Sequence, residues 1–478
     1  MGAFGRWPWQ GYHKLWMLLL LGWVVSAADR TITGPVITWM IENQVSFLGA
    51  SDHPHALGGL VGSLFFAGYM LTQFPGGYLG DKYGHRTIIV ISILWAGVAT
   101  IVSGFVTSLV GFIALRVITG LGEGAYYSND RTLIAEKTPF EKRSFGMGVV
   151  ITGLSIGITL AILLSPYLIN WGQAWMPGKN GWRMPFFVLG AITMIMGVWL
   201  YRYFRAQQPN LPYRAAVLEL LKYSAVFLAA IMAVYFLSES IGMPDYGVAA
   251  IELILAFLLI GFAFGKKGKE LSPVLYNKNL LLLYIAAIAI LWNLWFFGFW
   301  SVAIISNAAD TSFLKAALTA TFNAGAGILG FPAGGWLADY AVRKGWGRKG
   351  MLLSFTLIQG LLTLGFGFYL SQGGQSVVLM AVLLFVTSLF FNALQPISQA
   401  LTADIAPAEY RGAAFGMWNL IGEMGAVMSP VVSGALRDAT GTWTAAVMLD
   451  GALILASFVL ILFVREKAAE EPLMKVAN

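Results

Sequence analysis

The sequence predicts an all-α multi-pass membrane protein with fourteen transmembrane helices. Of its 478 residues, 58% are hydrophobic and only 11% are charged, whereas soluble domains usually carry roughly 25% charged residues. The apolar residues come in blocks of about 20, the length that lets an α-helix cross a hydrocarbon core about 30 Å thick. The sequence lacks the alternation of apolar and polar positions over short strands that a membrane β-barrel requires.

The apolar blocks alternate with short loops, and the basic residues collect in every second loop. Examples are residues 81–86 and 202–214. Positive loops remain on the cytoplasmic side, so we expect both termini in the cytoplasm and the protein in the inner (cytoplasmic) membrane. The expected spans are 14–40, 57–79, 87–107, 109–134, 145–169, 184–204, 215–238, 247–265, 279–305, 313–338, 350–370, 376–402, 412–435 and 443–464.

Composition also excludes several classes of function. The net charge of +7 is spread over short loops rather than a basic domain, so no nucleic-acid partner is expected. The chain has no cysteine, which removes disulfides and cysteine metal sites, and no metal or cofactor is expected. Glycine loops of the Walker type and Gly-x-Ser-x-Gly are missing, so the chain is not expected to be an enzyme. The expected partners are the lipid bilayer and a small solute, and the expected state is a monomer.

An internal repeat divides the chain. Residues 76–81 match residues 334–339 at an offset of 258, and residues 133–136 match residues 401–404 at an offset of 268. We therefore expect two six-helix halves, 1–210 and 273–478. Residues 211–272 have no repeat partner and predict an inserted two-helix hairpin with a cytoplasmic linker. Duplicated halves place a substrate site between them, near the middle of the membrane.

Four charged residues lie inside apolar segments of the first half: Asp29, Arg30, Arg116 and Glu123. Such groups are costly in hydrocarbon and usually mark a transport pathway. Arg116 and Glu123 are seven residues apart, almost two helical turns, so they face the same way about 10 Å apart along the axis. We hypothesise that an anionic substrate binds an arginine and releases a carboxylate to take a proton. The alternative is a structural ion network in which the four groups neutralise one another.

The second half offers fewer charged candidates. Glu423 lies about eleven residues into its apolar segment, and Asn419 lies one turn earlier. Glu423 is a candidate proton site or a site for a cationic part of the substrate; a structural hydrogen bond is the alternative. Asn293, Tyr126 and Tyr127 are candidate substrate contacts. The alternative is structural: Asn293 could hydrogen-bond a neighbouring helix, and the two tyrosines could pack against other side chains.

A loop motif carries a first family resemblance. Gly80-Asp81-Lys82-Tyr83-Gly84-His85-Arg86 resembles the motif between the second and third helices of the major facilitator superfamily, with a partial copy at residues 339–349. The resemblance implies two six-helix halves and rocker-switch transport. It also implies a gating role at one membrane face for Gly80, Asp81, Gly84, Arg86 and Asp339.

A narrower resemblance comes from Ala28-Asp29-Arg30 and from the segment 116–124. Both are similar to the anion:cation symporter family, which includes bacterial sugar-acid transporters. The resemblance implies proton-coupled symport of a carboxylate, with Asp29 and Glu123 as protonatable groups and Arg30 and Arg116 as substrate or proton-controlling groups. Two features depart from that family: the extra helix pair and the acid at Glu423.

A second transporter family remains an alternative. Residues 120–128 are also similar to the helix 4 signature of spinster-type lysolipid transporters, which share the Asp-Arg pair of the first helix. A lipid would need a largely apolar cavity and a sugar acid a polar one, and composition does not separate them. No arginine occurs in residues 279–305, where phosphate-ester exchangers of the superfamily usually have one, so a sugar phosphate is disfavoured.

Overall fold

The computed structural model describes residues 10–49, 51–138, 143–264, 272–407 and 410–466, and their long elements are all α-helices. The helices are α1 (Gly11–Glu42), α2 (Ser46–Gly49), α3 (Pro54–Tyr83), α4 (His85–Ser103), α5 (Leu109–Lys137), α6 (Arg143–Trp175), α7 (Met184–Gln207), α8 (Tyr213–Ser240), α9 (Asp245–Phe264), α10 (Ser272–Leu275), α11 (Lys278–Ala309), α12 (Phe313–Arg343), α13 (Gly347–Ser371), α14 (Val377–Ile405), α15 (Arg411–Thr440) and α16 (Thr444–Leu462).

Within the described residues, eleven helical segments are long and apolar enough to cross a membrane. This confirms the prediction of an all-α multi-pass membrane protein. The segments lie in α1, α3, α4, α5, α6, α7, α8, α11, α13, α14 and α16. α9, α12 and α15 are outside this set; α12 and α15 are rich in glycine and alanine with interspersed polar residues, which lowers their hydropathy.

Several helices are longer than the sequence predicted. The segment expected to end at residue 79 continues to Tyr83, so most of the 80–86 motif lies in the last turn of α3 and the first turn of α4. Gly84 alone separates the two helices, with a φ of 88°, a value that glycine adopts without steric cost. The predicted loop is therefore a single-residue break between two helices.

The helices form two packed groups, α1–α7 and α11–α16, which we call the first half and the second half; the two groups also pack against each other. In the first half α1 packs on α6, α3 on α5, and α4 on α5 and α7. In the second half α11 packs on α15, α12 on α14, and α13 on α16. The halves meet where α3 packs on α15, α6 on α12 and α1 on α11. α8 lies against α3 and α5, whereas α9 packs against both α3 and α15.

We call the side of the bundle where α1 begins and α16 ends the terminal face, and the other side the opposite face. Near the opposite face the two halves are in tight contact. A Cβ atom on Gly59 would lie 2.3 Å from the Pro430 carbonyl oxygen. Hydrogen bonds join Ser306 to Glu42 at 2.5 Å and His55 to Asp438 at 2.7 Å. Backbone packing and polar contacts thus close the interface on this side.

Close helix approach within the first half also depends on glycine. A Cβ atom on Gly120 of α5 would lie 2.1 Å from the Phe65 carbonyl oxygen of α3. Small residues let membrane helices approach until their backbones touch. This contact sets the spacing between α3 and α5, the helix that carries Arg116 and Glu123.

Replacing Gly120 with alanine is expected to destabilise the protein by about 1–3 kcal/mol, because the new methyl group overlaps the α3 backbone. The measurement is the Tm of the purified protein in detergent. Gly148→Ala is the matched control, since nothing lies within 4 Å of its added Cβ and alanine favours a helix. Equal Tm values for the two variants would contradict the packing role of Gly120.

Candidate functional site

The first charged pair joins α1 to α5. Arg30 Nη2 lies 3.1 Å from Glu123 Oε2, and both side chains are buried. Ser26 of α1 bridges them, because it accepts a hydrogen bond from Arg30 Nη2 at 2.7 Å and donates one to Glu123 Oε2 at 2.7 Å. Arg30 and Ser26 are four residues apart, so they lie on one face of α1. The arginine is therefore held by its own helix as well as by Glu123.

The second charged pair crosses the same two helices. Arg116 Nη1 lies 3.6 Å from Asp29 Oδ1, with both side chains fully buried. The hydrogen bonds around this pair are to hydroxyl groups. Arg116 donates to Ser103 at 2.9 Å and to Thr119 at 3.1 Å, and Thr100 donates to Asp29 Oδ1 at 2.7 Å. The four charges predicted from the sequence are thus brought together, and each arginine pairs with the acid of the other helix.

The two pairs meet at their carboxyl groups. Asp29 and Glu123 are close enough to influence each other electrostatically. In the described protein Asp29 Oδ2 and Glu123 Oε1 are buried and have no hydrogen-bond partner. Two ionised carboxylates can only accept hydrogen bonds. Neither acid can therefore donate a hydrogen bond unless it takes up a proton.

Aromatic rings surround the Arg30 guanidinium. Its carbon lies 4.7 Å from the ring centroid of Tyr69, 5.5 Å from that of Trp23 and 5.7 Å from that of Trp295. A cation within about 6 Å of such rings is attracted by their negative faces. Tyr69 and Trp23 belong to the first half and Trp295 to the second. Arg30 therefore lies at the boundary between the two halves.

Glu423 and Asn419 of α15 also lie at this boundary. Asn419 Nδ2 donates to Glu423 Oε1 at 3.3 Å and lies 3.2 Å from Gln73 Oε1 of α3. Glu423 faces Arg30, Tyr69 and Gln73 across the interface and interacts electrostatically with Arg30. The structure therefore brings the acid of the second half to the charged network of the first.

The two tyrosines of α5 have different surroundings. The Tyr126 hydroxyl donates to the Leu19 carbonyl oxygen at 3.0 Å, and its ring is buried against α1. Tyr127 is half-buried, lies 6.1 Å from Trp23 ring to ring, and interacts electrostatically with Glu423. Of the two predicted contacts, Tyr127 is the one that faces the boundary, while the hydroxyl of Tyr126 already has a backbone partner.

A small cavity with both polar and apolar walls lies between α6 of the first half and helices α11, α12 and α14 of the second. Five of its lining residues carry amides or hydroxyls: Ser155, Asn293, Asn323, Ser388 and Asn392. Apolar side chains complete the wall, among them Phe297 and Phe391. Asn293, predicted as a substrate contact, is thus at the cavity wall. Trp295 lies two residues further along α11, so the same helix reaches Arg30.

Asp450 was missed in the reading of the sequence. It lies in the middle of α16, fully buried, and accepts a hydrogen bond from Asn293 Nδ2. The signal was available, because Asp450 is an acid within an apolar segment, like Glu423. Gln73 was also missed. An uncharged amide inside an apolar segment is a weaker sign of function than an acid. The contact between Gln73 and Asn419 is visible only in the folded structure.

The predicted gating motif lies at the terminal face. Gly80 is packed so closely that a Cβ atom would lie 1.8 Å from Asn129 Oδ1 of α5. Asp81 is exposed and lies 3.5 Å from His85 Nε2, while the Arg86 guanidinium lies 5.8 Å from the Phe204 ring centroid. Gly84 is the break between α3 and α4. The Asp339 side chain lies outside the described residues.

The motif also contacts α8 of the region between the halves. Lys82 Nζ lies 2.7 Å from Glu219 Oε2, and the Tyr83 hydroxyl donates to the same oxygen at 2.5 Å. The hydrogen bond with Glu219 raises the pKa of Lys82. The sequence did not predict a contact between this motif and α8. Among the described residues, no group of three or more histidines and acids is placed to hold a metal ion.

Sequence comparison identifies the family. The family model of the Major Facilitator Superfamily matches residues 19–309 and 283–476. The chain belongs to the Major Facilitator Superfamily. The resemblance drawn from the 80–86 motif is confirmed. Its relatives are transporters rather than enzymes, so this major facilitator protein is a transporter.

Curated relatives of this major facilitator protein transport sugar acids. It is 27% identical over 85% of its length to the D-galactonate transporter of Escherichia coli O6:H1, covering 86% of that protein. It is 25% identical to a probable galactarate/D-glucarate transporter of Escherichia coli, with 95% of both chains covered. The hexuronate transporter of Bacillus subtilis is 23% identical, with 94% of both chains covered. These relatives confirm the resemblance to the anion:cation symporter family.

Solved structures share the fold. A bacterial homologue of the lysosomal transporter spinster superposes with a TM-score of 0.64 at 15% identity, with 96% of both chains covered. A D-xylose–proton symporter superposes with a TM-score of 0.66 at 17% identity, covering 95% of this chain and 98% of the other. At such low identity these matches establish the architecture of a major facilitator transporter and nothing about the solute.

Replacing Arg116 with leucine is expected to destabilise this transporter by about 3–5 kcal/mol, because it leaves the Asp29 carboxylate buried without its cation. The double variant Asp29→Leu, Arg116→Leu removes both charges and is expected to be more stable than the single one. The measurement is the Tm in detergent. Arg205→Leu is the control for loss of an exposed arginine. A double variant no more stable than Arg116→Leu would contradict the ion pair.

Proposed function

We propose that the protein is a secondary active transporter that carries an organic anion, a carboxylate or sugar acid, together with protons. The observation that carries this proposal is the buried network in which Arg30 pairs with Glu123 and Arg116 with Asp29 at the boundary between the halves. The sugar-acid relatives support the same class of solute. Transport would proceed by rocker-switch alternating access of the two halves.

Competition for Arg30 would link the anion to the proton. Arg30 stabilises the ionised form of Glu123 at 3.1 Å. A substrate carboxylate that binds Arg30 weakens this stabilisation, and Glu123 can then take up a proton. By linkage, the proton in turn favours binding of the anion. Arg116 keeps Asp29 compensated throughout, because its cation pairs with Asp29 and its hydrogen bonds are to uncharged hydroxyl groups.

The second half would supply the remaining substrate contacts. Asn293 at the cavity wall and Asn419 at the boundary can hydrogen-bond the hydroxyl groups of a sugar acid. Tyr127 faces the same boundary, and Tyr126 supports α1 behind it. Glu423 is proposed as a further protonatable group, because it faces Arg30 and its Oε2 is buried with no hydrogen-bond partner in the described protein.

Alternating access would exchange contacts between the two faces. The contacts near the opposite face, such as Ser306 with Glu42, have to break when the halves rock the other way. At the terminal face, Gly80, Asp81, Gly84, Arg86 and the corresponding Asp339 are proposed to form the gate.

The finer architecture is part of the proposal. The halves would comprise residues 1–210 and 273–478, and residues 211–272 would hold an inserted hairpin of α8 and α9, giving fourteen transmembrane helices. The length of the fourteen long helices supports this count. The basic loops support cytoplasmic termini in the inner membrane. The protein is proposed to work as a monomer.

A spinster-like lysolipid transporter is the alternative. The five amide and hydroxyl side chains at the cavity wall favour a hydroxylated solute, because a lipid chain could not hydrogen-bond the polar atoms that the protein leaves free, such as Asn293 Oδ1. Because residues 120–128 are similar to the helix 4 signature of spinster-type transporters, lysolipid transport is to be measured alongside sugar-acid transport.

Vesicles with an imposed inward proton gradient are expected to accumulate labelled D-galactonate, about tenfold per pH unit for each proton carried with a monoanion. Glu123→Gln and Asp29→Asn remove the titratable groups, so gradient-driven accumulation is expected to be lost while exchange of labelled for unlabelled anion continues. For Glu423→Gln, loss of gradient-driven uptake alone indicates a proton role. Equal loss with and without a gradient indicates a substrate contact instead.

Glu252→Gln is the matched control, because Glu252 is a buried acid of α9 outside the network. It is expected to accumulate the anion as the wild type does. Undiminished accumulation by both Glu123→Gln and Asp29→Asn would contradict the coupling role. If labelled lysolipid crosses the bilayer while no organic acid accumulates, the alternative replaces the proposal.

Deleting residues 212–268 and joining the ends with a short linker is expected to retain coupled uptake. The Tm is expected to fall, because α9 loses its packing on α3 and α15. Uptake and Tm are measured on protein that elutes as a single species. A folded deletion variant without uptake would mean that the hairpin takes part in transport.

A further inference from the structure

Asp450 is a buried acid with one defined partner. Its side chain is fully buried in α16, and Asn293 Nδ2 of α11 donates a hydrogen bond to its Oδ2. In the described protein Asp450 Oδ1 has no hydrogen-bond partner. An acid in the interior of a membrane protein is costly and usually faces a functional cavity or another polar group. Here that polar group is an amide at the cavity wall.

Among the described residues, no cation forms an ion pair with Asp450. α11, α13 and α15 are the helices that pack on α16. Charged residues of α11 and α13 lie at the helix starts: Lys278, Arg348 and Lys349. In α15 the charged residues away from its start are Glu423, which faces Arg30, and Arg437 and Asp438 near the opposite face. Asp450 therefore acts on Asn293 rather than on an ion pair.

The hydrogen bond fixes which end of the amide faces the cavity. An asparagine side chain has one acceptor oxygen and one donor nitrogen. Because Nδ2 donates to Asp450, the nitrogen points at α16, and Oδ1 is the atom left for a ligand. Asn293 lines the cavity, and in the described protein its Oδ1 makes no hydrogen bond. The wall of α11 thus presents an acceptor of fixed orientation.

Asn392 shows a different solution at the same cavity. Its Nδ2 donates to the Ser388 carbonyl oxygen at 2.7 Å, one turn earlier in α14. This amide is oriented by its own helix. Asn293 has no such backbone partner and depends on a side chain of another helix. The orientation of the α11 amide can therefore be changed by substitution in α16.

We propose that Asp450 is a positioning residue that holds Asn293 as an acceptor for a hydroxyl group of the transported anion. The inference rests on the proposed function and deepens it, because it assigns a selectivity element for hydroxylated acids to the second half. Asp450 itself does not touch the solute. A sugar acid offers several hydroxyl donors, and an acceptor held in advance binds one of them without a further ordering cost.

The test is a double-mutant cycle on D-galactonate uptake. Asp450→Ala and Asn293→Ala are each expected to raise KM about five- to tenfold, the size of one hydrogen bond, with little change in the maximal rate. The double variant is expected to show the same KM as either single variant, because Asp450 acts through Asn293. Asp450→Asn is expected to restore KM, since its amide oxygen can accept the same bond. Additive effects, or a lower maximal rate at unchanged KM, would overturn the inference.

Two further measurements separate the possible failures. Ser457→Ala is the control on α16, because its hydroxyl bonds the carbonyl of its own helix at Ile454, and its KM is expected to match the wild type. The infrared band of the Asp450 carboxyl group, obtained as wild type minus Asp450→Asn, is expected to shift in Asn293→Ala. A wild type that takes up no D-galactonate contradicts the proposed function. An unshifted infrared band contradicts the Asp450–Asn293 pair, whatever the solute is.

Discussion

Burial of the Arg30 guanidinium is the constraint on which the centre of the molecule depends. A buried cation is tolerated only when an opposite charge and hydrogen-bond acceptors surround it. Glu123 provides the charge, Ser26 provides an acceptor, and aromatic rings cover the rest of the group. These contacts require α1 and α5 to stay in one register, and the approach of α5 to α3 at Gly120 keeps that register. The first half is therefore built around one compensated charge.

The second half also contacts Arg30, although the ion pair that neutralises Arg30 lies within the first half. Trp295 covers one side of Arg30, and Glu423 faces it from α15. Under the proposed rocking motion both contacts would change, whereas Arg30 and Glu123 both belong to the first half. The network thus combines ion pairs inside one half with contacts to the other half, and under the proposed motion only the latter would depend on how the halves are placed.

The sequence carried much of the fold and the identity of the charged residues, but not their partners. Acids and arginines inside apolar segments were recognisable, and the seven-residue spacing of Arg116 and Glu123 placed both on one face of α5. Each arginine pairs with the acid of the other helix. This pairing depends on how α1 is rotated relative to α5, and residue spacing along one helix does not predict that rotation. The same holds for Gln73 beside Asn419. Asp450, like Glu423, is an acid inside an apolar segment, so it was recognisable in the sequence although it was not predicted.

The origin of the charged network also bears on how such transporters diversify. Its acids, arginines and bridging hydroxyl groups come from α1, α4 and α5, whereas most of the polar cavity wall comes from α11, α12 and α14. Substitutions in the wall can change which solute fits while the ionic centre is left intact. One ancestral charged network could therefore be retained in paralogues for many acids, with the mutations confined to the other half of the gene.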